Sequence, residues 1–314
     1  MFNKTLEIFS LILSKDIAWW QSFIKVNARN PTALLSRFSY NIKRGLFDIA
    51  ARLGIYQYKY NIIFIAGMPL SATTWVKNMF GRVPGYFTRF APIPYDISVR
   101  QDFSESAFKY VSRQEYTLFK THLNPTVENL NIILNNNVKK VVVTHRDFRD
   151  VVVARYHRLK KFPKKPGDPF YTDLTKATEE EAINESIRLV SDDYVSWIDG
   201  WVNIANEHND FVYFCPFERL RNNPKGEFEK MLDFYEIKLS GKKIDEIIAA
   251  CEGKGNMQEN HTKAVLQPWA LSSNFRSGKV GGWKEEFTEA NKKYCKKLLG
   301  KELIRHGYEK DDNW

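Results

Sequence analysis

Residues 62–75 read IIFIAGMPLSATTW. The apolar run Ile62 to Ala66 stops at Gly67, and small and hydroxyl residues follow at Ser71, Ala72, Thr73 and Thr74. A short apolar run ending in glycine is the pattern of a buried strand, and the hydroxyl cluster after it marks a helix start. Backbone N–H groups at such a helix start attract anions. The spacing from Gly67 is that of a Walker A loop, but Ala72 stands where the second glycine would be and Thr73 where the lysine would be. Without that lysine an ordinary ATPase or kinase is disfavoured. Taken alone, the loop is equally compatible with a plain strand–helix turn.

The pattern repeats down the chain. Short apolar runs followed by helical stretches recur at Val138–Thr144 and Phe211–Phe214. Such alternation predicts an α/β fold with a central, mainly parallel sheet flanked by helices. Ligands of such sheets sit at the carboxyl ends of the strands. There the sequence offers Lys120, Thr121 and His122 in KTHLNP, Arg146, Asp147, Arg149 and Asp150 in HRDFRD, and Arg276, Gly278, Lys279 and Gly281 in RSGKVGGWK. The guanidinium fork matches two phosphate oxygens, and glycine-rich basic loops let backbone N–H groups approach phosphate.

Composition agrees with a packed, anion-binding protein. The 314 residues are 43% hydrophobic and 14% aromatic, enough for one large core with a small extra lobe. The formal charge of +10 calls for an anionic partner. No basic arm, recognition helix or RNA-binding signature is present, so no nucleic-acid role is expected. The cysteines Cys215, Cys251 and Cys295 are far apart, which argues against a metal site or disulfide and for a reducing, cytoplasmic setting. The apolar run Ile8–Leu13 is too short to cross a bilayer. Residues 1–60 form a predicted helical N-terminal extension, and residues 61–314 the main domain. In that extension nine lysines and arginines face three acids. Two readings stay open for it: a lobe packed on the main domain, or a basic amphipathic surface that touches anionic lipid.

These segments, in this order, resemble the cytosolic-type sulfotransferases. The family's PKSGTTW corresponds to Pro69–Trp75, PLSATTW; its KTHLP to Lys120–Pro125 with Asn124 added; its RDPRD-type strand end to Arg146–Asp150; its late RKGxxGDWK to Arg276–Lys284. The resemblance covers roughly residues 60 to 290. It implies a P-loop-like sulfotransferase fold. It also implies a reaction in which a sulfuryl group moves from 3′-phosphoadenosine 5′-phosphosulfate (PAPS) to a hydroxyl or amine of a small-molecule acceptor. Adenosine 3′,5′-bisphosphate (PAP) is the second product, and no metal is required.

By the same resemblance, the loop Ser71, Ala72, Thr73, Thr74 and Trp75 holds the donor's 5′ end, with the indole against adenine. Arg146, Arg276, Ser277 and Gly278 hold the 3′-phosphate. His122 is the general base and Lys120 neutralises the sulfuryl group in flight. An imidazole titrates near neutral pH, which suits a base for a hydroxyl nucleophile.

The departures fall on the donor side. Leu70 replaces the loop lysine, Ala154 a serine that contacts the 3′-phosphate, Phe217 a tyrosine, Ser277 a lysine and Gly282 an aspartate. Glu252 and Lys254 stand where the family has threonine and an aromatic adenine neighbour. Arg149, Arg155, Lys254 and Lys279 are candidate replacements for the lost contacts. Three outcomes are consistent with these changes: a divergent active enzyme, an altered donor preference, or a nucleotide-binding protein that has lost catalysis. Retention of Lys120, His122, Arg146 and Arg276 favours activity. Aromatics in Tyr86–Tyr95 and at Phe162, Phe170 and Tyr171 are candidates for the acceptor pocket. Oligomeric state is not set by any motif.

Overall fold

The computed structural model describes residues 42–43, 45–88, 102–103, 105–108, 111, 115–161, 177–251 and 278–314. The chain divides into two compact units, residues 1–57 with 253–273, and residues 58–252 with 274–314. In the first, the described residues are helical at 42–43 and 45–52, with Ile42, Leu46, Leu53 and Ile55 exposed. No described helix is long and apolar enough to cross a membrane.

The described residues of the second unit form five parallel strands: β1 (Ile62–Gly67), β2 (Phe87–Thr88), β3 (Thr117–Thr121), β4 (Val141–His145) and β5 (Val212–Pro216), in the order β2-β3-β1-β4-β5. All six residues of β1 are buried because it lies at the centre of the sheet. Side chains alternate across a strand. Ile62, Phe64 and Ala66 therefore join one core and Ile63 and Ile65 the other. The expected α/β architecture is thus present, with a helical layer on each face.

On the first face lie α3 (Phe148–Lys161), α4 (Glu179–Glu207), α8 (Trp283–Glu286) and α9 (Glu289–Arg305); on the second lie α1 (Thr73–Phe80), α6 (Pro224–Phe234) and α7 (Gly241–Cys251). Helix α2 (Val127–Asn135) links β3 to β4, and the short α5 (Phe217–Asn222) follows β5. The long α4 begins in a capping box, in which Thr178 accepts from Glu181 N and the Glu181 carboxylate accepts from Thr178 N.

Strand limits differ from the sequence reading in ways that local chemistry explains. Val138 is not in β4; it closes α2, donating from its backbone to Ile133 O at 3.0 Å after the left-handed Asn137 (φ 66°). The two-residue strand β2 carried too little alternation to be foreseen. Of the aromatics proposed for the acceptor pocket, Tyr86 is 1% exposed, stacks on Tyr58 and packs with Tyr116. Tyr86 and Phe87 are core residues, whereas Tyr95, Phe162, Phe170 and Tyr171 lie outside the described residues. All three cysteines are free and buried.

His145, the last residue of β4, couples this fold to pH. Burial first, then the neighbouring His306 and Arg219, lower its pKa to about 3. Its Nδ1 lies 2.6 Å from the Tyr308 hydroxyl. Burial also lowers His306. Because the folded pKa lies below the unfolded one, the unfolded chain takes up the proton first as pH falls. The His145 contribution is therefore complete above about pH 6.5 and declines toward pH 3, by up to about 1.4 kcal/mol per pH unit, and His306 acts in the same direction. Urea midpoints measured across this window should fall with pH, and His145→Phe should flatten the slope.

Candidate functional site

Strand register brings the motifs together before any side chain is considered. Ala66 is opposite Thr121 on one side of β1, and Gly67 is opposite Thr144 on the other. His122 directly follows β3 and Arg146 directly follows β4, so both flank the loop that leaves β1. These are the carboxyl ends of adjacent parallel strands.

The loop itself is drawn tight around buried hydroxyls. Ser71 Oγ donates to Met68 O at 2.5 Å and lies 2.8 Å from Thr144 Oγ1, and Thr73 Oγ1 lies 3.0 Å from the same oxygen. A Cβ on Gly67 would come within 2.1 Å of Thr73 Oγ1 and 2.5 Å of Thr144 Oγ1, so this close approach requires glycine. Leu70 (φ 69°) and Ala72 (φ 64°) both take the left-handed conformation, which costs a non-glycine residue roughly 1–3 kcal/mol. The Leu70 side chain packs against the core. No side-chain cap and no acid serve the first turn of α1.

The residues of this loop therefore divide. Ser71 and Thr73 spend their hydroxyls inside the protein, and Thr74 is half-buried at the first turn of α1. Trp75 is 8% exposed and packs in the second core, yet its indole N–H has no hydrogen-bond partner.

His122 and Lys120 are adjacent. The imidazole Nδ1 lies 2.5 Å from Gly67 O, and Nε2 lies 3.2 Å from Lys120 Nζ. A carbonyl only accepts, so Nδ1 carries the proton and Nε2 presents its lone pair. The same contact ties the imidazole to the end of β1.

Arg146 joins the first loop to the late glycine-rich loop. It lies with its guanidinium carbon 4.1 Å from the Phe217 ring centroid, donates from Nη2 to Lys279 O at 2.8 Å, and brings Nη1 to 3.5 Å from Leu70 O. Phe217 thus supplies the aromatic face without the hydroxyl of the family's tyrosine. Arg146 Nε is buried with no hydrogen-bond partner. An unsatisfied buried donor costs roughly 1–3 kcal/mol, more when charged, and a phosphate oxygen would satisfy it.

The late loop is held by Asp150. Its carboxylate accepts from Gly281 N at 2.8 Å and Trp283 N at 3.1 Å, with Arg146 Nη2 3.4 Å away. Gly278 (φ 62°) and Gly281 (φ 73°) are left-handed, and Gly281 has open space where a Cβ would go, so its backbone angle is what calls for glycine. Asp150, which the sequence offered only as one of the residues at the end of β4, thus holds the start of α8 across the chain. Asp150→Ala should leave two backbone N–H groups without their acceptor and Arg146 without its paired carboxylate. A loss of about 3–5 kcal/mol in stability is expected, with weaker nucleotide binding, measured by chemical unfolding and titration.

Arg149 is not available as a substitute anion ligand. It pairs with Asp147 at 2.7 Å and with Glu309, between the rings of Trp283 (4.1 Å) and Trp314 (4.5 Å). Burial holds the Asp147 carboxyl above its ordinary range although Arg149 opposes it. Lys279 pairs through Nζ with Glu285, and its carbonyl holds Arg146. Arg276, Ser277, Glu252 and Lys254 lie outside the described residues. Among the described residues, Asp199, Glu302 and His306 gather three possible metal-ligand atoms, and Arg305 already pairs with both carboxylates.

Comparison with known proteins identifies the family and the fold. The profile of the sulfotransferase domain family matches residues 61–307. The chain is 25% identical over 267 residues to flavonol 3-sulfotransferase of Flaveria bidentis, covering 77% of this chain and 82% of that one. It is 27% identical over 271 residues to sulfotransferase 1A1 of Canis lupus familiaris, covering 76% and 83%. Among solved structures, mouse sulfotransferase SULT7A1 complexed with PAP superposes with a TM-score of 0.59 at 18% identity, over 83% of this chain and 90% of that one. Retinol dehydratase in complex with androsterone and the inactive cofactor PAP gives 0.56 at 17%, over 82% and 85%. The fold is the one these structures share. Matched over most of its length and carrying the three strand-end motifs on one edge of its sheet, the chain belongs to the sulfotransferase domain family and is a sulfotransferase.

Proposed function

We propose that the chain transfers a sulfuryl group from PAPS to a hydroxyl or amine of a small-molecule acceptor, with His122 as general base. The observation that carries this reading is the orientation of His122: Nδ1 is fixed by Gly67 O, and Nε2 is turned to Lys120 Nζ. Relatives of this chain act on small molecules by their names, and two structural neighbours hold PAP.

In the proposed reaction the acceptor oxygen attacks sulfur in line. The new O–S bond forms as the bond from sulfur to the bridging phosphate oxygen breaks, the acceptor proton passes to His122 Nε2, and PAP departs. Lys120 neutralises charge on the sulfuryl oxygens, and such preorganised charge is often the largest catalytic contribution. The first N–H groups of α1, with Thr74, receive the 5′-phosphate. Buried Ser71 and Thr73 shape that turn from behind, with Ala72 setting its left-handed corner. Arg146 takes the 3′-phosphate with its unpaired Nε, together with Gly278 and, by resemblance, Arg276 and Ser277. The indole N–H of Trp75 remains available to the nucleotide. Leucine at position 70 adds no charge to the leaving phosphate, so departure relies on the α1 N-terminus and Lys120. No metal is given a role.

The test is turnover of PAPS with a panel of phenols, alcohols and amines, following PAP and sulfated product together. The two should appear in equal amounts. PAPS consumed without any sulfated product, or no release of PAP with any acceptor, would contradict the reading.

For residues 1–60 a peripheral role at an anionic lipid surface is supported by exposed Ile42, Leu46, Leu53 and Ile55 beside Lys43 and Arg52. Flotation with anionic vesicles should retain the full chain, and deletion of residues 1–57 should release it.

A further inference from the structure

Helix α3 carries a second buried guanidinium that the donor site does not use. Arg155 is 9% exposed, and its Nε and Nη2 are buried with no hydrogen-bond partner. It forms no ion pair with any described carboxylate. The other buried arginines of this domain are served differently: Arg149 has two carboxylates and two indole faces, and Arg146 has two carbonyls, an acid and a ring. A charged donor left bare inside a protein is costly unless an anion meets it.

A second guanidinium adjoins it. Arg158 follows one turn later on the same side of α3. Burial, and then Arg155, push its guanidinium below the ordinary value. The fully buried Tyr194 of α4 feels both Arg155 and Arg158. Its phenol is raised by burial first, with Asp193 beside it acting in the same direction and both arginines opposing.

Position separates this cluster from the donor loops. Successive residues of a helix project about 100° apart. Ala154 stands where the family's 3′-phosphate serine would be, whereas Arg155 is directed at α4. Tyr194 lies one helical turn from Trp197, and Trp197 Nε1 donates to Leu123 O at 2.8 Å. Leu123 is the residue after His122. The cluster thus lies one helical turn from a contact with the segment that carries the proposed base.

We propose that Arg155, backed by Arg158 and Tyr194, binds an anionic group on the acceptor, so that the preferred acceptors are small molecules carrying a carboxylate, phosphate or sulfate besides the nucleophile. This rests on the sulfuryl-transfer reading above. The bare Nε and Nη2 offer two adjacent donors, the fork that matches two oxygens of such a group.

The experiment has two arms, each read in wild type, Arg155→Met and Arg155→Lys. In the first, the donor site is saturated with PAP and melting is compared in sodium sulfate and sodium chloride of equal ionic strength. Sulfate should raise the Tm of wild type by a few degrees, keep most of that effect in Arg155→Lys and lose it in Arg155→Met. No sulfate effect in wild type, or an equal effect in Arg155→Met from sulfate seated in the sulfuryl pocket, would overturn the proposal. In the second arm, 4-hydroxyphenylacetate is compared with its neutral amide as acceptor. Wild type should favour the acid by about tenfold or more in kcat/KM, and Arg155→Met should lose this preference through KM. Equal use of acid and amide overturns the acceptor assignment. A fall in PAP affinity in Arg155→Met would move Arg155 to the donor's 3′-phosphate instead, and failure of PAP to bind wild type at all would strike the sulfuryl-transfer reading rather than this one.

Discussion

Replacing His122 by alanine is expected to lower kcat by about 10²–10⁴-fold, the range for a positioned acid or base, while PAP affinity barely changes. The split follows from geometry. Nδ1 is committed to Gly67 O, so the only ring atom able to accept a proton is Nε2, beside Lys120 Nζ. Removing the ring leaves the nucleotide contacts proposed for α1 and Arg146 in place, so binding should survive. His122→Gln should fare no better than alanine, because an amide cannot take the proton. With an amine acceptor the loss should shrink, since a neutral amine can attack before it gives up a proton. Wild-type turnover of a hydroxyl acceptor in His122→Ala would remove the base assignment. The measurement is steady-state PAPS turnover beside nucleotide titration.

Arg146→Ala should weaken PAP by about tenfold to a hundredfold and leave adenosine 5′-monophosphate (AMP) nearly unaffected. One charged hydrogen bond lost is worth about 1.5–3 kcal/mol. Arg146 also ties Leu70 O to Lys279 O, so its removal loosens two loops at once. The monophosphate is the control for that loosening: an equal loss for both nucleotides would mean that Arg146 is structural. Arg146→Lys should recover part of the discrimination, because it keeps the charge but not the planar fork or the stacking on Phe217.

The parts of this molecule that were legible in its sequence are those written in local pattern. The run Ile62–Ala66 ending at Gly67 announces a central strand because every one of its side chains is buried and the turn after it admits no Cβ. The order of the strand-end motifs was legible for the same reason, since each follows an apolar run. What escaped was set by contacts distant in sequence. Nothing local says that Thr73 turns to Thr144, that Arg149 chooses Asp147 and Glu309 over Asp150, or that Asp150 reaches Gly281 and Trp283. The tyrosines Tyr58, Tyr86 and Tyr116 gave no periodic signal because they cluster from three segments. Arg155 was read as a spare donor ligand; its direction toward Tyr194 became visible only with α4 in place.

The measurement closest to the donor assignment needs no acceptor: calorimetric titration of the wild-type chain with PAP and with AMP. If Arg146, Gly278 and their loop receive a 3′-phosphate, PAP should bind about tenfold to a hundredfold more tightly than AMP, the worth of one or more charged hydrogen bonds. Equal affinity for the two nucleotides would contradict a PAPS donor and leave the sulfuryl source to be sought elsewhere.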